Sequence, residues 1–136
     1  MNTDIKKLIG EATAYDKKQM LEVKRPKSWL KSVSAFANGE GGTLIFGISD
    51  DDHIVGLTDA KGDAERISEE IKSKLDPVPA VNLELKDADG KTLLLLHVYP
   101  GQETPYYYIG DKQRIAFVRI GNESVTADRT QLKALV

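Results

Sequence analysis

Two periodicities of apolar and polar residues run through the chain, one typical of amphipathic helices and the other of β-strands. Apolar residues spaced three to four positions apart predict four helices, over 5–11, 28–38, 63–75 and a last one through Leu135. Asp4 can cap the first of these helices, and Asp128 or Thr126 can cap the last.

Strand patterns occupy much of the remaining chain. Alternating residues, or short apolar runs between turn signals, predict strands over 20–24, 43–48, 53–57, 81–85, 91–98, 106–109, 115–120 and 123–125. Asp89-Gly90 is a strong hairpin turn, and Asp50-Asp51-Asp52 joins two further strands. Because most of these connections are hairpins, we expect an α+β fold with a mixed, largely antiparallel sheet and three to four helices.

The length of 136 residues predicts a single domain over 1–136. The chain ends on the apolar run Ala134-Leu135-Val136, from which we expect it to be the N-terminal part of a longer protein. No apolar run approaches the roughly 20 residues of a membrane span, and the first residues lack an apolar signal core. Together with the absence of cysteine, this favours a cytoplasmic location and excludes disulfides and thiolate metal sites.

The net charge of −2 does not by itself indicate a nucleic-acid-binding protein. The charges are nevertheless unevenly distributed, with a balance of +4 over residues 1–36 and −5 over residues 37–60. This asymmetry is compatible with a positive binding face beside a cluster of carboxylates. It is also compatible with an ordinary solvated helix face, which charge alone favours.

The glycine-rich segment Gly39-Glu40-Gly41-Gly42 is a candidate phosphate-binding loop. Phosphate-binding loops, however, lead from a strand into a helix, so that the helix N-terminus faces the phosphate. Here the order is reversed, because a helix leads into a strand. We therefore expect close backbone packing at these glycines rather than nucleotide binding.

Glu22 and Asp50 are the acidic residues best placed for chemistry. Glu22 lies on the polar face of the predicted strand over 20–24 and Asp50 lies at a strand end, so the two could share a divalent metal ion, with Lys24 beside a phosphate. The alternative is that Glu22 and Lys24 simply belong to a solvated strand face, which spacing alone favours. His53 and His97 have no partners at metal-ligand spacing, so a zinc site is not expected. No other cofactor is expected.

Several aromatic and cationic residues have two interpretations. Tyr106-Tyr107-Tyr108 could stack on bases, but aromatic residues also favour strands, and a structural role is the better expectation. Arg119 should face solvent or a cleft, where it could contact phosphate or pair with an acid. Trp29 is expected to anchor its helix to the sheet.

Five motifs in this order resemble a known family: Glu22-Val23-Lys24, Ser34-Ala35-Phe36-Ala37-Asn38, Gly41-Gly42-Thr43-Leu44-Ile45-Phe46-Gly47, Val55-Gly56-Leu57 and Val118-Arg119-Ile120-Gly121. The chain resembles, over 14–135, the Schlafen-type Alba-like domain, a predicted DNA-binding domain at the N-terminus of many bacterial predicted transcriptional regulators. The resemblance implies nucleic-acid binding, most simply to DNA, and Lys24 and Arg25 match the basic part of the family's Glu-Phe-Lys motif. It also implies that an ATPase-like segment and a winged helix commonly follow.

On this basis the leading hypothesis is a nucleic-acid-binding module of a cytoplasmic regulator that contacts phosphates through Lys24, Arg25, Lys27, Lys31 and Arg119. A second hypothesis is a metal-dependent nuclease, because animal relatives cleave RNA through three acids, two of which fall on Glu22 and Asp50. The third falls on Lys17, which makes nuclease activity less expected. A third hypothesis is a protein-interaction or dimerisation module, in line with the acidic pI of about 5.7. A homodimer would be natural for a regulator.

Overall fold

The computed structural model describes residues 14–136. This part of the chain contains three α-helices, α1 (Lys27–Ala37), α2 (Ala60–Lys74) and α3 (Arg129–Leu135). Its eight strands are β1 (Tyr15–Lys18), β2 (Gly42–Phe46), β3 (Leu75–Asp76), β4 (Val81–Ala88), β5 (Lys91–Val98), β6 (Tyr107–Tyr108), β7 (Ile115–Ile120) and β8 (Glu123–Thr126). The predicted α+β class is confirmed.

The strands form two four-stranded sheets, ordered β1-β2-β5-β4 and β3-β6-β7-β8. Among the strands of residues 14–136, β1 and β2 pair in parallel and every other pairing is antiparallel. Asp89-Gly90 forms the predicted turn between β4 and β5, with both residues at positive φ. The largely antiparallel arrangement therefore follows from the hairpins that the sequence indicates.

Helix α1 lies between the two sheets and forms much of the core. It begins at Pro26, whose φ of −65° suits a helix start, and its apolar residues are almost completely buried. The Trp29 ring packs edge-on against Phe46 of β2, with the ring centroids 6.0 Å apart. The expected role of Trp29 as the anchor of this helix is thus confirmed.

The glycine-rich turn after α1 packs against the protein itself. Gly41 has a φ of +81°, which favours glycine, and an added Cβ would lie 2.7 Å from the Val98 carbonyl oxygen. At Gly42 an added Cβ would lie 2.6 Å from the Phe36 ring. Close backbone approach accounts for both glycines, as expected from the order of helix and strand.

Two predicted strands differ from the observed structure. The strand predicted over 20–24 is wrong: β1 covers Tyr15–Lys18 instead, and the segment from Gln19 to Arg25 is a loop. Met20 and Val23 are exposed in this loop, and only Leu21 is buried in the core. The strand predicted over 53–57 reduces to a single bridge between Ile48 and Ile54.

The remaining predicted elements agree with the structure to within a few residues. Helix α3 is capped by Asp128 and Gln131, and the side chain of each accepts a hydrogen bond from the backbone N–H of the other. The helix predicted over 5–11 lies outside the described residues. In the part of the chain from residue 14 onwards, no helix is long and apolar enough to cross a membrane.

Candidate nucleic-acid interface

An open cleft of about 670 Å³ lies where the loop after β1 enters α1. We call it the cationic cleft, because its lining carries five cationic side chains and two carboxylates, a formal excess of three positive charges. Its lining residues are Glu22, Val23, Lys24, Arg25, Pro26, Lys27, Ser28, Lys31, Lys74 and Asp111.

Local sequence brings the first four cations together. The Ser28 N–H donates to the Arg25 carbonyl at 3.0 Å, which holds the end of the loop against the first turn of α1. Lys27 and Lys31 are four residues apart on this helix and therefore share a face. The positive end of the helix dipole lies at the same turn, so the field there adds to that of the side chains.

The cations of the cleft differ in how far they are already paired. The side chains of Lys24, Arg25 and Lys31 form no hydrogen bond or ion pair with residues 14–136. Those of Lys24 and Arg25 are also exposed. Lys27 Nζ donates to Gln113 Oε1 at 3.0 Å. Lys74 Nζ lies 2.7 Å from Glu70 Oε2, one turn earlier on α2. Three cations are thus available to a ligand at little cost in broken contacts.

The far wall of the cleft is the turn between β6 and β7 that contains Asp111. Asp111 and Lys112 both have positive φ, and the Asp111 carboxylate accepts a hydrogen bond from the Tyr108 hydroxyl at 3.0 Å. Burial, this hydrogen bond and the nearby negative charge raise the pKa of Tyr108 to about 12. Lys27 Nζ lies 5.7 Å from the centroid of the same ring. The Tyr108 hydroxyl therefore remains a donor that fixes Asp111 at the edge of the cleft.

Arg119 does not line the cationic cleft. Its side chain is only 13% exposed, and its guanidinium lies 2.8 Å from Asp16 Oδ1 and 2.8 Å from Ser124 Oγ. The guanidinium carbon also lies 4.9 Å from the centroid of the Phe36 ring. Of the two interpretations of Arg119, pairing with an acid is the one that the structure shows.

Glu22 and Asp50 lie in different clefts. Glu22 belongs to the cationic cleft, whereas Asp50 borders a second cleft of about 480 Å³ beside Asp16, Lys17 and Arg119. Among residues 14–136, no three side chains of His, Asp or Glu are grouped so that they could hold a metal ion.

Lys17, on which the family resemblance places the third acid of the animal relatives, is held by the acidic turn Asp50-Asp51-Asp52. Its Nζ lies 2.8 Å from Asp52 Oδ1 and also donates to the Asp50 carbonyl. The hydrogen bond to Asp52 raises the pKa of Lys17, so the side chain stays cationic. The Lys17 ammonium group therefore lies beside the backbone of Asp50, at the position where the resemblance would place an acid.

The three tyrosines at 106–108 and the two histidines have structural surroundings. Tyr106 and Tyr108 are buried, and Arg114 covers the Tyr107 ring at 4.1 Å, which leaves little open surface on these three rings for bases. His97 is half-buried, between Thr43 Oγ1 and Glu84 Oε1 at 2.9 Å each. His53 lies against Asp51 in the acidic turn.

Two residues of the cleft were missed from the sequence. Lys74 ends a helix that begins at residue 60, and Asp111 follows a turn glycine, so each has a recognisable local role. Neither has a local signal that connects it with residues 22–31. Only the fold brings these segments together.

Comparisons with known proteins agree with this description. A family model described as "Schlafen, AlbA_2" matches residues 11–128. The solution NMR structure of the N-terminal domain of a protein from Nitrosomonas europaea, named as related to the ATP-dependent DNA helicase RecG, has a TM-score of 0.64 and 24% identity. That match covers 93% of this chain and 88% of the other.

A crystal structure of the DIP2311 protein from Corynebacterium diphtheriae has a TM-score of 0.67 and 20% identity, and the match covers 93% of this chain. The chain spans only about 24% of that protein's length. At these identities the two structures show a shared fold and nothing more. No curated protein matches the chain.

Proposed function

The chain belongs to the Schlafen, AlbA_2 family, and from this premise we propose that it binds nucleic acid, DNA in the first place, as a module of a transcriptional regulator. The contacts are made to phosphates through Lys24, Arg25, Lys27 and Lys31. Such contacts give affinity without reading sequence, so target selection requires further contacts or further parts of the protein.

The observation that supports this proposal is the convergence of four cations from one short segment on one side of one cleft. Charge alone would also allow these side chains to scatter over unrelated faces. A cleft with an excess of three positive charges concentrates the positive potential where a phosphate can approach. Cations without a partner among residues 14–136, such as Lys24, Arg25 and Lys31, can exchange counterions for phosphates without breaking a contact within that part of the chain.

Arg119 is not part of the proposed contact set. To reach a phosphate, its guanidinium would have to leave Asp16 and Ser124, and the mostly buried Asp16 carboxylate would lose its cationic partner. Lys74 of the cleft is already paired with Glu70, so four phosphate contacts are the upper limit that we assign to the cationic cleft. A nuclease is not favoured, since Glu22 and Asp50 lie apart and Lys17 lies beside Asp50.

The test is a fluorescence-anisotropy titration of a labelled duplex DNA, with a single-stranded DNA and an RNA hairpin in parallel. The variant Lys24→Gln/Arg25→Gln removes two cations from the cleft. The control Lys61→Gln/Arg66→Gln removes the same charge from exposed positions on α2. We expect the first variant to weaken binding by roughly tenfold or more and the control to weaken it far less.

Equal losses in the two variants would mean that only net charge matters, and the cleft would then not be the binding site. No binding to any of the three nucleic acids at low salt would overturn the proposal as a whole. The relative affinities for duplex, single strand and RNA would identify the preferred form.

A further inference from the structure

The outer edge of β4 is the longest strand edge without a partner in the described part of the chain. β4 has eight residues and pairs with β5 on one side. The other edge strands, β1, β3 and β8, have four, two and four residues. β4 contains none of the proline residues or bulges that commonly protect an exposed edge.

The register of the β4–β5 hairpin shows which backbone groups face this edge. The Tyr99 N–H donates to the Ala80 carbonyl, and the pairing continues without a break from Val81–Val98 to Ala88–Lys91. In an antiparallel pair, hydrogen-bonded residues alternate with residues whose backbone groups point away. The N–H and C=O groups of Val81, Leu83, Leu85 and Asp87 therefore point outward.

We propose that this edge pairs with the same edge of a second copy of the chain, antiparallel and about a two-fold axis at Leu85. In this register Leu85 faces Leu85 of the other copy, and Leu83 faces Asp87, all through outward-pointing backbone groups. Glu84 of each copy then lies opposite Lys86 of the other copy, which gives one such pair on each side of the axis. Both pairs are at non-hydrogen-bonded positions, where side chains are closest. The strand is thus complementary to itself in charge.

The side chains of β4 select this register over its neighbours. A two-fold axis one residue earlier or later would place Glu84 opposite Glu84 or Lys86 opposite Lys86, and like charges directly opposite are unfavourable. Leu85 is 44% exposed although it belongs to a strand of the core sheet, and pairing about this residue would cover it. Lys86 has no ion-pair partner within residues 14–136, and Glu84 uses only Oε1 for His97.

The test uses sedimentation velocity of the whole chain over roughly 1–200 μM, a range that reveals micromolar dimers. We expect a concentration-dependent dimer for the unmodified chain. Lys86→Glu and Glu84→Lys each place like charges opposite each other and should weaken the dimer by roughly tenfold or more. The double variant Glu84→Lys/Lys86→Glu exchanges the two charges and should restore it. Circular dichroism verifies that every variant is folded.

Backbone amide exchange provides a second measurement that needs no variant. The amides of Leu83, Leu85 and Asp87 should exchange rapidly at low protein concentration and slowly at high concentration. The amides of Glu84 and Lys86, which point to β5, should be protected at both.

Four results would overturn the proposal. The chain could remain monomeric throughout the range. A dimer could form that neither single change weakens. The double variant could fail to restore a dimer that the single changes weaken. Protection of Leu83, Leu85 and Asp87 at every concentration would mean that a segment of the same chain already covers the edge. None of these results bears on nucleic-acid binding by the cationic cleft.

Discussion

The guanidinium of Arg119 binds both carboxylate oxygens of Asp16, at 2.8 Å and 3.2 Å, across 103 residues of sequence. Asp16 lies in β1 of the first sheet and Arg119 in β7 of the second, so the pair joins the two sheets directly. Ser32 of α1 donates to the same carboxylate at 2.6 Å. Asp16 is therefore a junction between both sheets and the central helix.

Replacing Asp16 by Asn should destabilise the protein by about 2–3 kcal/mol, because a mostly buried guanidinium would lose its anionic partner. The matched control is Asp76→Asn, which breaks the exposed pair with Arg114, whose side chains are 54% and 57% exposed. The control should lower the free energy of unfolding by less than about 1 kcal/mol. Urea unfolding followed through the fluorescence of Trp29, the single tryptophan, measures both. Equal costs would contradict a structural role for the junction.

The same carboxylate should contribute to acid unfolding. Burial raises the pKa of Asp16, but the hydrogen bonds from Arg119 and Ser32 and the positive charge of Arg119 outweigh it, so the pKa lies below the ordinary value of 3.8. The Asp16 carboxylate therefore binds a proton less tightly in the folded state than in the unfolded chain. The contribution to stability is complete above the unfolded pKa and is lost as the pH falls through the folded pKa.

We therefore expect the unmodified chain to lose more stability between pH 5 and pH 2 than Asp16→Asn, which cannot titrate at this position. Urea unfolding at several pH values, with Trp29 fluorescence as the signal, gives the change of unfolding free energy with pH for each of the two proteins. Parallel curves for the two proteins would show that the Asp16 pKa is unchanged by folding.

Gly42→Ala should destabilise the protein by about 1–3 kcal/mol, because the new methyl group would meet the buried Phe36 ring at 2.6 Å. Gly39→Ala is the control in the same turn, since an added Cβ there would lie 3.5 Å from the Ala35 carbonyl oxygen, an ordinary contact. It should change stability by less than about 0.5 kcal/mol. Thermal unfolding distinguishes the two, and similar effects would argue against close packing as the reason for Gly42.

Asn38→Ala should lower the free energy of unfolding by about 2–3 kcal/mol, because the side-chain amide of Asn38, at the end of α1, satisfies backbone groups of Tyr106 and Phe117. Its Oδ1 accepts from the Tyr106 N–H at 2.7 Å, and its Nδ2 donates to the carbonyls of Tyr106 and Phe117 at 3.1 Å and 2.9 Å. The exposed Asn122 makes no such contacts with residues 14–136, and Asn122→Ala should be nearly neutral. Chemical denaturation measures both changes, and a neutral Asn38→Ala would show that water replaces the amide.

Sequence periodicity predicted the elements that bury apolar faces. Helices α1 and α2 follow apolar residues at helical spacing, and the β4–β5 hairpin follows from Asp89-Gly90, so local signals were sufficient. The family inferred from five short motifs is also confirmed.

The prediction failed at β1 because this strand carries almost no apolar signal. Its sequence is Tyr-Asp-Lys-Lys, and two of its side chains find charged partners far along the chain: Asp16 pairs with Arg119, and Lys17 with Asp52. The alternation at 20–24 resembles a strand, yet it belongs to the loop that carries Lys24 and Arg25 into the cleft. Long-range charge pairing cannot be read from a local pattern. Lys74 and Asp111 were missed as neighbours of that loop because only the fold brings them close to it.

The salt dependence of DNA binding tests the cationic cleft most directly. With up to four phosphate contacts, the logarithm of the association constant should fall against the logarithm of salt concentration with a slope of about −3 to −4 on duplex DNA. The variant with Lys24, Arg25, Lys27 and Lys31 all changed to Gln should bring this slope close to zero, while the Trp29 fluorescence spectrum stays that of the folded protein. A slope that is unchanged in this variant, or a slope near zero in the unmodified chain, would contradict binding through the cleft.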